Sequence, residues 1–224
     1  MIALRRNRLV RLSDCGWIEV LSRPWDRIAR ECLMHWAAQR LPLVVTRQPQ
    51  GLIDHPIALG LPAPLRWDRR RIALEVSTLS LLALDDFPAA AEIVAQLPLA
   101  ARLAWASLCD RLEAAGVTAQ VYGSHGWQRL TGLRYLHPDS DLDLRLEVDD
   151  ADAADTAAAL LNSARIANLR MDGELAFADG RDIAWREWRQ WRSGAADRVL
   201  VRRLDGVGFE GNGVAPAAAL IVAQ

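Results

Sequence analysis

The chain has 224 residues, 51% hydrophobic and 25% charged, with a net charge of -1. That balance fits one large or two small globular domains and excludes disorder, a collagen-like fibre and a disulfide miniprotein. Near-neutral charge argues against broad nucleic-acid binding, and no apolar run approaches the ~20 residues of a membrane span.

Taken in chain order, residues 1–22 read as irregular apart from a short strand around Trp17–Leu21. They lack the apolar core and small-residue cleavage site of a signal peptide. Pro24 suits a first helical turn, and a helix from Trp25 to Gln39 carries Ile28, Cys32, Leu33 and Trp36 on one face. Leu43–Thr46 is a short β-branched run, hence a strand. The stretch Gln48–Trp67 is rich in Pro and Gly, with room for a strand within Gly51–Leu59; Arg71–Val76 alternates as another. Leu79–Leu84 is apolar and fits either element. A boundary is expected near Asp85–Pro98, dividing the chain into domains 1–90 and 91–224. Pro98 opens a helix to Ala115 with Trp105, Leu108 and Leu112 inside, and Gly116 stops it.

Val117–Tyr122 then reads as a strand ending in Gly123-Ser124, followed by a helix from His125 to Leu130 and a loop over Thr131–Ser140. Asp141–Val148 alternates cleanly, Leu142, Leu144 and Leu146 facing one way and Asp141, Asp143 and Arg145 the other. Ala151–Ala164 is a helix capped by Asp149 and Asp150. Arg165–Phe177 reads as a strand, Asp179-Gly180 as its turn and Asp182–Trp185 as its hairpin partner. A short helix over Trp185–Trp191 and strands at Val199–Leu204 and Val207–Glu210 complete a mixed α+β order, with a mostly antiparallel sheet in the second half.

Two features carry chemistry. Gly123 lets a ligand approach the backbone closely, Ser124 offers a hydroxyl, and the free N–H groups of a helix start attract phosphate. Asp141 and Asp143 share one face of a strand with Cα atoms about 6.6 Å apart, so a cation between them relieves their repulsion. Hard oxygen ligands suit Mg²⁺, which takes the rest of its shell from substrate phosphate and water. All 27 basic residues are Arg, so guanidinium groups must meet any polyphosphate. Arg129 and Arg134 stand nearest in sequence; Arg186 and Arg202 are further candidates. His125 and His137 read as structural, and Trp185, Trp188 and Trp191 as core before any adenine-stacking wall. The three cysteines form no C-x-x-C pair, which fits a reducing cytoplasm. Cys32 and His35 lie one helical turn apart, but without a second pair they read as core or boundary residues.

Strand, Gly-Ser turn, helix, loop and acid–apolar–acid strand, in this order, resemble the polymerase-β-type nucleotidyltransferase superfamily. Its fold is implied for the C-terminal part, beside a smaller α+β N-terminal part. The loop Thr131–Ser140 is longer than that pattern usually has. The phrases VYGSHGWQRLTGL, PDSDLDLRLE, RMDGELAFADGRDIAWREW and VLVRRLDG, with LPLVVTRQPQGLIDHPIALGLP and RRRIALEV, resemble the malonate decarboxylase holo-acyl-carrier-protein synthases, or phosphoribosyl-dephospho-CoA transferases, over most of Trp36–Leu204. The resemblance implies an enzyme that moves triphosphoribosyl-dephospho-CoA onto a serine of the malonate decarboxylase acyl-carrier subunit and releases diphosphate. It makes Asp141 and Asp143 Mg²⁺ ligands and Gly123 and Ser124 the phosphate cradle; Arg129 and Arg134, chosen by nearness in sequence, are the expected phosphate contacts. It also asks for a third acid, for which Asp172 and Glu174 are both open and Asp172 is preferred. Alternatives are nucleotidyl transfer to another hydroxyl and a non-catalytic binding module of the same fold.

Overall fold

Alternation decides the first sheet. In the computed structural model, which describes residues 4–49, 56–167 and 169–211, strand β3 (Ile57–Pro62) buries Ile57, Leu59 and Leu61. Strand β4 (Arg71–Val76) buries Ile72, Leu74 and Val76 and turns Arg71 and Glu75 outward. With β1 (Leu9–Leu12), β2 (Leu43–Val45) and β5 (Leu81–Asp85) they form an antiparallel sheet in the order β4-β3-β2-β1-β5. The apolar stretch 79–84 is thus divided between a 3-10 turn, Thr78–Ser80, and β5. Residues 51–55 of the expected Gly51–Leu59 strand lie outside the described residues.

Helix α1 (Asp14–Leu21) replaces the strand expected at Trp17–Leu21; the strand of this region is β1 instead. The reason is local. Ser13 accepts a hydrogen bond from the Gly16 N–H as N-cap, Asp14 occupies the first turn, and Gly16, Trp17 and Val20 recur on one buried side. Helix α2 (Arg27–Ala38) is capped by Asp26, whose carboxylate accepts from the Ile28 and Ala29 N–H groups. It buries Cys32, Leu33 and Trp36. Burial pushes the Cys32 thiol up to about 12. His35 rests against the rings of Trp36 and Trp67. Cys32 is core, and His35 lies half-buried at the core's edge.

The second sheet comprises β6 (Thr118–Val121), β7 (Leu142–Val148), β8 (Met171–Phe177), β9 (Asp182–Ala184), β10 (Arg198–Arg202) and β11 (Val207–Gly211), in the order β11-β10-β9-β8-β7-β6. Only β7 and β8 run parallel, joined over helix α5 (Ala151–Ser163); the other pairs are antiparallel. The expected strand from Arg165 begins only at Met171. Helices α3 (Leu99–Ala114), α5 and α6 (Trp185–Arg192) cover one face, where Trp105, Leu108, Ala157, Leu161 and Trp188 pack on Leu142, Leu144 and Leu146. Trp188 donates from Nε1 to Asp155 at 2.8 Å and touches Trp191 edge-on, so these tryptophans build core and not a stacking wall. The cysteines are unpaired. Among the described residues no helix is long and apolar enough to cross a membrane.

The opposite face of this sheet is charged. The chain start lies over it: Arg5 bridges Asp86 and Glu147, and Arg6 bridges Glu174 and Asp182. The first core cluster also takes in Phe87, Trp127 and Tyr135 from beyond β5. The two sheets therefore share packing, and the site lies where they meet.

Candidate active site

The site begins at the end of β6. Tyr122 donates its N–H to the Asp143 carbonyl at 3.0 Å, tying the turn to β7. Gly123 then adopts φ +59° and starts helix α4 (Gly123–Thr131). A Cβ at Gly123 would drive into the Asp143 carboxylate, so only glycine fits both the left-handed backbone and the contact. Ser124 follows in the first turn, beside the free N–H groups of the helix start.

Asp143 is half-buried, and its proton affinity is raised to about 6 by burial first, then by Asp172, Asp141 and Glu174. The parallel register explains the acid cluster: Asp143 pairs with Asp172, and Arg145 with Glu174. Gly173 between the two β8 acids has φ +151°, and a Cβ there would strike the Leu144 carbonyl, so the strands pack without a side chain between them. Among the described residues Asp172 accepts only from its own Gly173 N–H, at 2.9 Å. Glu174 is committed elsewhere: Arg6 Nη2 stands 3.3 Å away and Arg202 Nε 3.7 Å away. Sequence alone leaves these two acids equivalent; the register separates them and sets Asp172 beside Asp143. Asp141 precedes β7 and lies 3.8 Å from Arg170 Nη1. Among the described residues no three His, Cys, Asp or Glu side chains already stand in ligating geometry. The oxygen-only donors Asp141 and Asp143 nevertheless fit Mg²⁺, which needs few protein ligands, and the raised proton affinity of Asp143 marks a place where positive charge is welcome.

Gly123, Ser124 and Asp143 open into a pocket of about 310 Å³ whose far wall comes from the first sheet: Pro62–Leu65, Arg69 and Arg71. Trp127 and Tyr135 line it too. Tyr135 lies in the 131–140 loop, which is ordered by the Gln128 side-chain Oε1 accepting from the Tyr135 and Leu136 N–H groups. Its hydroxyl donates to the Pro62 carbonyl at 2.8 Å, and its ring stacks on Trp127. The long loop thus ties the two halves together at the pocket.

Arg129 and Arg134 are not brought to this pocket. Arg129 lies five residues beyond Ser124, about 140° around the helix axis. It pairs with Glu92 at 3.3 Å over a separate cleft. Arg134 is exposed on the loop. Arg186 donates to the Met171 carbonyl, and Arg202 serves Glu174. His125 is buried and pushed down to about 4 by burial, hence neutral at pH 7, and it does not line the pocket. His137 sits in the loop, its N–H donating to Ser140. Arg69, Arg71 and Tyr135 are the pocket residues that sequence reasoning missed. The run Arg69-Arg70-Arg71 beside a Pro-rich stretch was the available signal.

Fold and site together define a mixed α+β protein with an acid cluster beside a glycine-opened helix start. Residues 5–83 match the phosphoribosyl-dephospho-CoA transferase MdcG N-terminal domain, and residues 82–211 match the C-terminal domain of the same family. The chain is 36% identical over 214 residues to a phosphoribosyl-dephospho-CoA transferase of Bradyrhizobium diazoefficiens, covering 90% of this chain and 88% of that one. It is 34% identical over 183 residues to one of Xanthomonas campestris pv. campestris, covering 80% and 82%. With one of Xanthomonas axonopodis pv. citri it shares 32% over 199 residues, covering 88% and 89%. No solved structure matches the chain. The chain belongs to the phosphoribosyl-dephospho-CoA transferase family, a family of transferases.

Proposed function

We propose that this chain transfers the prosthetic group of triphosphoribosyl-dephospho-CoA to a serine of the malonate decarboxylase acyl-carrier subunit. The serine oxygen attacks the phosphorus next to the ribose, a new P–O bond forms, and the bond to the following phosphate breaks. Diphosphate leaves with the electron pair, and the product is a phosphodiester. Asp172, paired in register with Asp143 and hydrogen-bonded by its own Gly173 N–H, accepts the serine proton. Gly123 and Ser124 cradle phosphate oxygens at the helix start. Asp141 and Asp143 are the ligands for Mg²⁺, which supplies neutralisation of phosphate charge when bound. The remaining rate gain is alignment of the serine with the leaving group inside a pocket.

The observation that carries this reading is the close approach of Gly123 to the Asp143 carboxylate, both of which line one pocket together with Ser124. The test is to incubate the protein with purified carrier subunit, Mg²⁺ and either the donor or ATP, and to weigh the carrier intact. A mass gain with the donor and none with ATP is expected. Adenylylation of the carrier, or no gain with the donor, contradicts the proposal.

A further inference from the structure

Most arginines of this chain already have partners. Arg70 bridges Asp26, Arg129 bridges Glu92, Arg145 bridges Glu147, and Arg66 lies over the Trp67 ring. Arg69 and Arg71, on either side of Arg70, differ. Among the described residues neither has an acid, a carbonyl or a ring as partner, and both line the pocket that holds Ser124 and Asp143.

Their placement is set by the backbone. A 3-10 turn over Leu65–Trp67 is followed by two consecutive residues in the left-handed region, Asp68 at φ +55° and Arg69 at φ +51°. Neither is glycine, so each carries a strain cost. The turn is closed by the Arg69 N–H donating to the Pro64 carbonyl at 3.3 Å and the Ala63 N–H donating to the Arg70 carbonyl at 2.8 Å. Strand alternation then sends Arg71 and Ile72 to opposite faces, Ile72 into the core. The Tyr135 hydroxyl on Pro62 holds this same wall against the second sheet. Two uncompensated guanidinium groups at one mouth repel each other, and the arrangement is relieved by a multiply charged anion.

We propose that Arg69 and Arg71 bind the polyphosphate chain of the donor from the first-sheet wall, opposite the Gly123–Ser124 turn. This rests on the transferase reading of the same pocket. The N-terminal part thereby contributes directly to donor recognition, and the 131–140 loop fixes the distance between the two walls.

The probe is inorganic tripolyphosphate, titrated calorimetrically into the whole protein without carrier, alongside donor kinetics. Arg69→Gln and Arg71→Gln should each weaken tripolyphosphate about tenfold and the double variant about fiftyfold or more, with donor KM raised in step and kcat changed much less. Arg70→Gln, whose partner is Asp26, is the control and should leave both unchanged. Wild-type protein that fails to bind tripolyphosphate, or a double variant with unchanged affinity and donor KM, overturns the assignment. If tripolyphosphate binding depends on both arginines but no carrier gains mass, the arginine assignment stands and the carrier reading falls. Circular dichroism melts of the variants must match wild type within a few degrees. Should the double variant melt earlier, the conservative Arg69→Lys and Arg71→Lys variants are read instead, and retained binding there supports the charge role.

Discussion

Asp143 is the residue on which stability and function oppose each other. Its folded-state pKa of about 6 lies above the ~3.9 of an unfolded aspartate, so folding favours its protonated form. Without metal, its contribution to stability is therefore lost as pH rises from about 4 through 6 and stays lost above. Asp143→Asn removes that penalty. Metal-free variant should gain about 1–2 kcal/mol over wild type at pH 8, and nearly nothing at pH 4, while transfer almost disappears. Urea melts at the two pH values check this; a variant equally stable to wild type at pH 8 contradicts the clustered-acid account. Gly123 gives the complementary case. Gly123→Ala places a Cβ against the Asp143 carboxylate at φ +59°. It should cost about 1–3 kcal/mol and reduce transfer at least a hundredfold, read by thermal melt and initial rate. Ser124→Ala, by contrast, loses one charged hydrogen bond and should weaken donor use about tenfold to a hundredfold without abolishing it.

Among the elements, β8 and the 131–140 loop decide how the site is assembled. The alternation of β7 was readable in the sequence because Leu142, Leu144 and Leu146 are spaced for one buried face. The choice between Asp172 and Glu174 was not, since residues two apart on a strand share a face and only pairing register sets them apart. The same limit hid Arg69 and Arg71: tertiary packing brings them to the pocket that Ser124 lines, whereas nearness along the chain favoured Arg129. At α1 the run Trp17–Leu21 is apolar enough for a strand, and the Ser13 cap with the buried spacing of Gly16, Trp17 and Val20 makes it a helix. Asp172→Asn should lower kcat at least a hundredfold with little loss of stability. Glu174→Gln should instead destabilise by breaking the Arg6 and Arg202 pairs, and keep measurable transfer. Rates and melts of the two variants separate these roles; the reverse pattern assigns the proton acceptor to Glu174. Tyr135→Phe should cost about 1 kcal/mol and raise donor KM several-fold, because the Pro62 carbonyl loses its donor.

For the whole molecule, the boundary expected near residue 90 meets a more entangled arrangement. The C-terminal family segment begins at residue 82, inside β5, yet β5 completes the first sheet. Phe87, Trp127 and Tyr135 pack into the first core, and Arg5 and Arg6 reach across to Glu147 and Glu174. A fragment ending at residue 90 lacks Trp127 and Tyr135. Calorimetry of the full chain should give one cooperative transition, and the isolated fragment 1–90 should bind a hydrophobic dye and melt without cooperativity. Two well-separated transitions would instead describe independent domains.

On the proposed reading, the Asp141, Asp143 and Asp172 cluster beside Gly123 and Ser124 transfers the phosphoribosyl-dephospho-CoA group from the donor to the carrier serine. The direct measurement is diphosphate released per carrier modified, followed together in one reaction with Mg²⁺, for wild type and Asp143→Asn. Wild type should release one diphosphate for each carrier that gains mass, and Asp143→Asn should release almost none. Carrier modification without diphosphate, or an Asp143→Asn protein that keeps the wild-type rate, would contradict the account.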